Sequence, residues 1–171
     1  MTDHSHHMNT DVKSVRCFVL TVSDTRTRET DESGKKICAL LEKKGHAVKG
    51  YEIIEDDPKQ VQNEVKRAIN NLAVDVAILN GGTGISPRDS TYDAIRGLFS
   101  KEIPGFGELF RTLSYQEIGP NAYLSRCAAG MIDQTVVFSL PGSTHAVALA
   151  MDKLILPTLG HLVGQIQKGK A

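Results

Sequence analysis

Apolar residues fall in four short blocks separated by amphipathic stretches, and the alternation of the two predicts the fold. Val15 to Val22 (VRCFVLTV), Ala47 to Ile54, Val74 to Leu79 (VDVAIL) and Gln134 to Leu140 (QTVVFSL) have strand length and strand composition. Helical spacing fills the gaps. Ile37, Leu40 and Leu41 follow Asp31 and Ser33, either of which suits an N-cap, and Gly45 stands where a left-handed C-terminal cap belongs after Lys44. Asp57 before Pro58 places a cap ahead of a proline at the first helical position, and Val61, Val65, Ala68, Ile69 and Leu72 share the face behind it. A helix is predicted over Thr91 to Phe99, with Ala94, Ile95 and Leu98 inward. Pro104-Gly105 opens another, Phe106 to about Leu113. Asn121 to Ala129 is short and ambiguous. After Pro141-Gly142-Ser143-Thr144 a final long helix is expected, kinked or interrupted at Pro157.

Strands alternating with helices predict an α/β fold, a three-layer αβα sandwich around a mostly parallel, doubly wound sheet. With 171 residues the chain makes about one domain. Residues 1–14 are polar, carry His4, His6 and His7, and are expected to be a disordered tail. Residues 15–171 then form a single domain. In such sheets ligands sit beyond the carboxyl ends of the strands. That rule gathers four loops on one rim: Ser23–Arg28, Glu55–Asp57, Gly81–Thr91 and Pro141–Thr144.

The third of these loops is the most informative. Asn80-Gly81-Gly82-Thr83-Gly84-Ile85-Ser86-Pro87-Arg88-Asp89-Ser90-Thr91 follows a buried strand and leads into a helix. Glycines allow backbone N–H groups to turn toward an anion. The loop is not a P-loop, since no Gly-Lys-Ser/Thr follows, and a dinucleotide fingerprint would need glycine where Pro87 stands. A tight turn without a ligand is the plain alternative, but such a turn has no use for Arg88, Asp89, Ser90 and Thr91 together.

Charge and cysteine usage narrow the function. Twenty basic and twenty acidic side chains cancel, which argues against a nucleic-acid partner. No apolar run approaches the roughly 20 residues of a membrane span. Cys17, Cys38 and Cys127 are far apart and odd in number, as expected of reduced core thiols in a cytoplasmic protein. His46, His145 and His161 have no nucleophile beside them and are read as structural. The rim itself offers glycine N–H donors and hydroxyls at Ser23, Thr83, Ser86, Ser90, Thr91 and Ser143. It adds carboxylates at Asp24, Asp56, Asp57 and Asp89 and guanidinium groups at Arg26, Arg28 and Arg88. Such a set, without a covalent nucleophile, suits phosphoryl or nucleotidyl transfer assisted by Mg²⁺. Since one of Asp56 and Asp57 is needed to cap the helix at Pro58, only one of the pair is expected to be functional.

Gly81-Gly82-Thr83-Gly84 with Arg88-Asp89-x-Thr91 resembles the MoaB/Mog family of molybdenum cofactor biosynthesis proteins. The likeness extends to Leu20-Thr21-Val22-Ser23-Asp24, Pro104-Gly105-Phe106-Gly107-Glu108 and the stretch Phe110-Arg111-x-Leu113-Ser114-Tyr115-x-Glu117-Ile118-Gly119. It continues through Leu124-Ser125-Arg126-x-Ala128-Ala129-Gly130 and Leu140-Pro141-Gly142-Ser143, so it spans nearly all of residues 15 to 165. The resemblance implies a homotrimer or homohexamer that adenylylates molybdopterin with ATP and Mg²⁺ and releases pyrophosphate. It further implies that Asp89 and Asp56 are the catalytic and metal-binding acids and that Gly81, Gly82, Thr83 and Gly84 cradle nucleotide phosphates. Ser125 and the turn of Pro141, Gly142 and Ser143 would complete the pocket. Ser23, Asp24 and Thr91 are counted with it as polar side chains of the rim, and Arg88 and Arg126 are added here as phosphate partners. Some MoaB-type proteins share the fold but lack the acidic motif, and a non-catalytic molybdopterin carrier is the alternative. The Phe110–Gly119 stretch and the Pro141-Gly142-Ser143-Thr144 turn are the more MoaB-like parts, while Arg88-Asp89-x-Thr91 favours the enzyme.

Overall fold

A computed structural model describes residues 11–169. Six strands form one sheet: β1 (Arg16–Val22), β2 (Ala47–Ile54), β3 (Val76–Asn80), β4 (Lys101–Glu102), β5 (Ala128–Ile132) and β6 (Thr135–Leu140). Their order is β2-β1-β3-β6-β5-β4. The first four in that order run parallel, and the β6-β5 and β5-β4 pairs are antiparallel.

Period-two alternation sends each central strand's side chains to two cores. Cys17, Val19, Val76, Ile78, Val136 and Phe138 face one side of the sheet. There they meet Ile37 and Leu41 of α1 (Glu32–Lys43), Phe110 of α4 (Pro104–Ile118) and the C-terminal helix. Phe18, Leu20, Ala77, Leu79 and Val137 face the other, against Val61, Val65 and Ala68 of α2 (Pro58–Leu72) and Ile95 of α3 (Thr91–Arg96). The α1 crossover therefore covers one face and the α2 crossover the opposite one. The chain reverses its winding between β1 and β3, and the loops leaving these two neighbours diverge into a crevice.

Both helix-start ambiguities resolve onto a single aspartate. Asp31 caps α1, accepting from Gly34 N–H at 3.1 Å, while Ser33 is buried and its hydroxyl donates to the Gly142 carbonyl at 2.8 Å. Asp57 caps α2, accepting from Gln60 N–H at 2.8 Å. Gly45 takes the expected positive φ of 82°.

Asp31 is wholly buried and also accepts from the Tyr51 hydroxyl at 2.5 Å. Burial alone would raise its pKa. The bonds from Thr21, Tyr51 and Gly34 and the charge of Arg26 outweigh this and hold it below the ordinary 3.8. Because the folded value is the lower one, its stabilising contribution is complete above the unfolded value and is lost as pH falls through the folded one. Asp31→Ala strands the Tyr51 hydroxyl and the Gly34 amide, an expected loss of about 2–4 kcal/mol, measurable by urea unfolding at pH 7.

Several expectations are corrected. β1 and β6 begin one residue later than read, and β3 is Val76–Asn80 instead of Val74–Leu79. The helix read as Thr91 to Phe99 stops at Arg96, and the one read as Phe106 to Leu113 runs from Pro104 to Ile118. The ambiguous stretch resolves into a 3₁₀ turn, Gly119–Leu124, before the unread strand β5. The final helix, as expected, is interrupted just before Pro157. It runs as α5 (Thr144–Ala150), a π-turn (Met151–Ile155) and α6 (Leu156–Lys168), and the altered register just before Pro157 accommodates the missing N–H. This run has the length and mean hydropathy of a membrane span. Val147, Ala150, Met151, Ile155, Leu159 and Val163, however, all pack in the protein core.

Of the predicted tail, residues 1–10, with His4, His6 and His7, lie outside the described residues. Val12 N–H donates to the Gly160 carbonyl at 3.0 Å and Asp11 pairs with His161 at 3.1 Å, so the chain is attached to α6 before β1 begins. Burial pushes the thiols up, Cys17 to about 12 and Cys38 and Cys127 to about 11. Labelling of the folded protein by iodoacetamide at pH 8 is accordingly expected to be at least about tenfold slower than that of a free cysteine.

Candidate functional site

The loops after β1, β2, β3 and β6 line one cleft of about 680 Å³. Ser23, Asp24, Asp56, Gly81, Gly82, Thr83, Gly84, Arg88, Asp89, Ser125, Pro141, Gly142 and Ser143 all contribute to its wall. Thr21, Arg26, Asn80 and Leu124 join them. Thr21 and Asn80 were not anticipated. Their position at the last turn of the pleat in β1 and β3 is the signal that marks them. Asn80 Nδ2 donates to Thr21 Oγ1 at 2.9 Å and ties the two strand ends at the floor of the cleft.

The glycines divide into two roles. Gly81 N–H donates to the Leu140 carbonyl at 3.0 Å, so it extends the sheet and is not available to an anion, contrary to the expectation for it. Its φ of 101° turns the chain, and a Cβ there would lie 2.1 Å from the Val22 carbonyl oxygen. Among the described residues, the N–H groups of Gly82, Thr83 and Gly84 donate to no protein acceptor. Gly142 closes the other wall, 3.1 Å from Gly81 Cα at the position of its own would-be Cβ.

The three acids that line the cleft differ in what holds them. Asp24 accepts from Asp56 N–H at 3.1 Å and from Arg88 at 2.8 Å, and these bonds, the backbone one foremost, keep its carboxyl below the ordinary range. Asp56 reaches across from the loop after β2 to the start of α3. It accepts from the Ser90 hydroxyl at 2.7 Å, the Thr91 hydroxyl at 3.2 Å and Ser90 N–H at 3.3 Å. It thus caps α3, for which Ser90 makes no side-chain cap of its own. The Asp89 carboxylate, half-buried, takes no hydrogen bond from the described residues. It lies against Gly84, where a Cβ would stand 2.6 Å from Oδ2.

Two expected contacts fall elsewhere. Thr91 is fully buried behind the loop, holding Asp56, and does not line the cleft. Arg126 is also outside the wall. Its guanidinium is occupied by the carbonyls of Thr83, Gly84 and Asp89 and by Asp93, so it is not placed to meet a phosphate. Of the histidines, His46 is held in the fold through Nδ1, whereas His145 and His161 are exposed and paired with Glu117 and Asp11.

The model of a probable molybdopterin binding domain matches residues 18–161 of this chain. The chain belongs to the MoaB/Mog family. It is 53% identical over 159 residues to molybdenum cofactor biosynthesis protein B of Halalkalibacterium halodurans, covering 92% of this chain and 94% of that protein. The protein of the same name from Bacillus subtilis is 55% identical over 157 residues, covering 91% and 92%. Among solved structures, the tungsten cofactor synthesizing protein MoaB of Pyrococcus furiosus superposes with a TM-score of 0.83 at 37% identity, covering 91% of this chain and 99% of that one. A MogA structure superposes with a TM-score of 0.80 at 30% identity, covering 88% and 99%. Both MoaB and Mog members share the six-stranded α/β architecture with helices on the two faces of the sheet.

Proposed function

We propose that this MoaB/Mog protein adenylylates molybdopterin. An oxygen of the pterin's phosphate attacks the α-phosphorus of ATP, the bond from that phosphorus to the bridging oxygen breaks, and pyrophosphate leaves. The observation that carries the reading is the open Asp89 carboxylate beside Gly82, Thr83 and Gly84, whose N–H groups have no acceptor among the described residues. Backbone donors suit phosphate oxygens. An acid without a structural partner in the same wall suits a hard cation.

Mg²⁺ binds through one or two carboxylates together with phosphate oxygens and water. No group of three or more His, Cys, Asp or Glu side chains forms a ready cage among the described residues, and this fits an ion that arrives with its nucleotide. Asp89 would hold it, with the remaining lone pairs of Asp56, and the ion supplies charge neutralisation of the phosphates. Ser125 and the Pro141–Ser143 turn line the same cleft and are assigned to the nucleotide and the pterin. Arg88, already paired with Asp24, stands exposed at the mouth, where polyphosphate can compete for it. Assembly as a homotrimer or homohexamer is supported by exposed Leu109, Tyr115, Ile118 and Tyr123. A cytoplasmic setting accords with three free thiols.

The test is direct. The purified protein is mixed with fresh molybdopterin, ATP and Mg²⁺, and adenylylated pterin and pyrophosphate are followed together. Product is expected only when all three are present. Molybdopterin binding without any adenylylated product would replace this reading with that of a non-catalytic carrier.

A further inference from the structure

We propose that Arg126 is a positioning residue that holds Asp89 in place for transfer, an inference that rests on the adenylylation reading. The loop from Gly82 to Ser90 has little internal support. Asp89 N–H donates to the Ser86 carbonyl at 2.9 Å, Arg88 N–H reaches the Ser86 hydroxyl at 3.4 Å, and Thr91 N–H closes the loop onto the Gly82 carbonyl at 3.0 Å. Arg126 approaches from the segment before β5 and is not among the residues that line the cleft.

One planar group there spans the loop. Arg126 Nε donates to the Gly84 carbonyl at 3.1 Å and the Thr83 carbonyl at 3.3 Å, and Nη2 donates to the Asp89 carbonyl at 3.4 Å. Nη1 pairs with the Asp93 carboxylate at 3.0 Å, and the guanidinium lies 4.8 Å over the Tyr92 ring. The entry of the loop, its exit and the helix beyond are therefore fixed by one side chain.

The two carbonyls at residues 84 and 89 matter most. Asp89 Oδ2 rests against Gly84, so the relative position of these two residues sets where the carboxylate stands. Arg126 holds both. A guanidinium has five donors in a rigid fork, whereas an ammonium is a single point with three, and only the fork can bridge this span. Arg126 does not touch the cleft, so its effect on transfer passes through Asp89.

The experiment compares the full-length protein with Arg126→Gln and Arg126→Lys in two measurements. Hydrogen exchange of the bonded amides of Asp89, Ser90 and Thr91 is read without substrates, and kcat and KM for ATP are read with molybdopterin and Mg²⁺. Exchange is expected to rise about tenfold in both variants as the loop opens locally. The value of kcat should fall about 10- to 100-fold, the scale of a roughly 1 Å misplacement, with KM for ATP within about threefold. Lysine, which restores the charge, is not expected to restore kcat. Unchanged exchange overturns the proposal, and so does a loosened loop with kcat intact. Absence of transfer in the unsubstituted protein would overturn the adenylylation reading, and the exchange data would then test the clamp by themselves.

Discussion

Asp89→Asn is expected to leave the protein folded and able to bind molybdopterin while removing adenylyl transfer. The side chains have nearly the same shape, and the carboxylate accepts no hydrogen bond from the described residues. Stability should change by no more than about 0.5 kcal/mol, as at an ordinary surface position. Transfer is another matter. An asparagine has no negative charge to hold a hard cation against the nucleotide phosphates, and electrostatic terms of this kind are worth about 10²–10³ in rate or more. Thermal melting and single-turnover formation of adenylylated pterin separate the two effects. Asp56→Asn is the informative contrast, because Asp56 also caps α3 through Ser90 and Thr91. That variant should lose stability and activity together. An Asp89→Asn protein that turned over normally would make Asp89 a bystander and leave the loop as an anion site alone.

The grouping of the site is legible in the sequence. Four loops far apart in sequence fall on one rim once the strands are read as parallel, and the structure brings them into one cleft. The choice between Asp56 and Asp57 was legible in part. The proline at position 58 demands a cap, and Asp57 fills it, which leaves Asp56 to reach the cleft. What sequence did not reveal are effects of tertiary packing. Nothing local marks Asp56 as the cap of α3, since the helix belongs to another loop. Residue type alone points Thr91 and Arg126 to the pocket, but their partners are Asp56 for the one and the loop carbonyls and Asp93 for the other. β5 escaped notice for a related reason. A strand reading is weakened by Gly130, yet glycine is required there because a Cβ would stand 2.4 Å from the Phe99 ring. The reversal into β6 passes through Asp133 at φ 52°, a hairpin signal carried by a residue that tolerates it.

Gly81→Ala should produce the largest loss of stability of any single methyl added to this loop. Two penalties coincide. A φ of 101° lies where an L-residue is strained, and the added Cβ would stand 2.1 Å from the carbonyl oxygen of Val22. That oxygen is backbone at the end of a central strand and has no rotamer by which to move away. Gly82 also has a positive φ, 63°, and the added methyl there would meet the Thr91 hydroxyl and the Asp56 carboxylate, 2.2 and 2.4 Å away, tips that can turn at the cost of the α3 cap, while Thr91 Cβ at 2.8 Å must shift slightly. Strain and overpacking together amount to about 2–5 kcal/mol at Gly81, or a fall in Tm of about 5–15 °C for a chain of this size. Calorimetry of the two variants beside the wild type measures it. The Gly81 variant should melt lower, and the Gly82 variant should retain more stability while losing nucleotide-dependent activity, because its methyl displaces the Asp56 carboxylate. If the order were reversed, side-chain packing around Asp56, and not the register of β1 against β3, would be the stiffer constraint on the site.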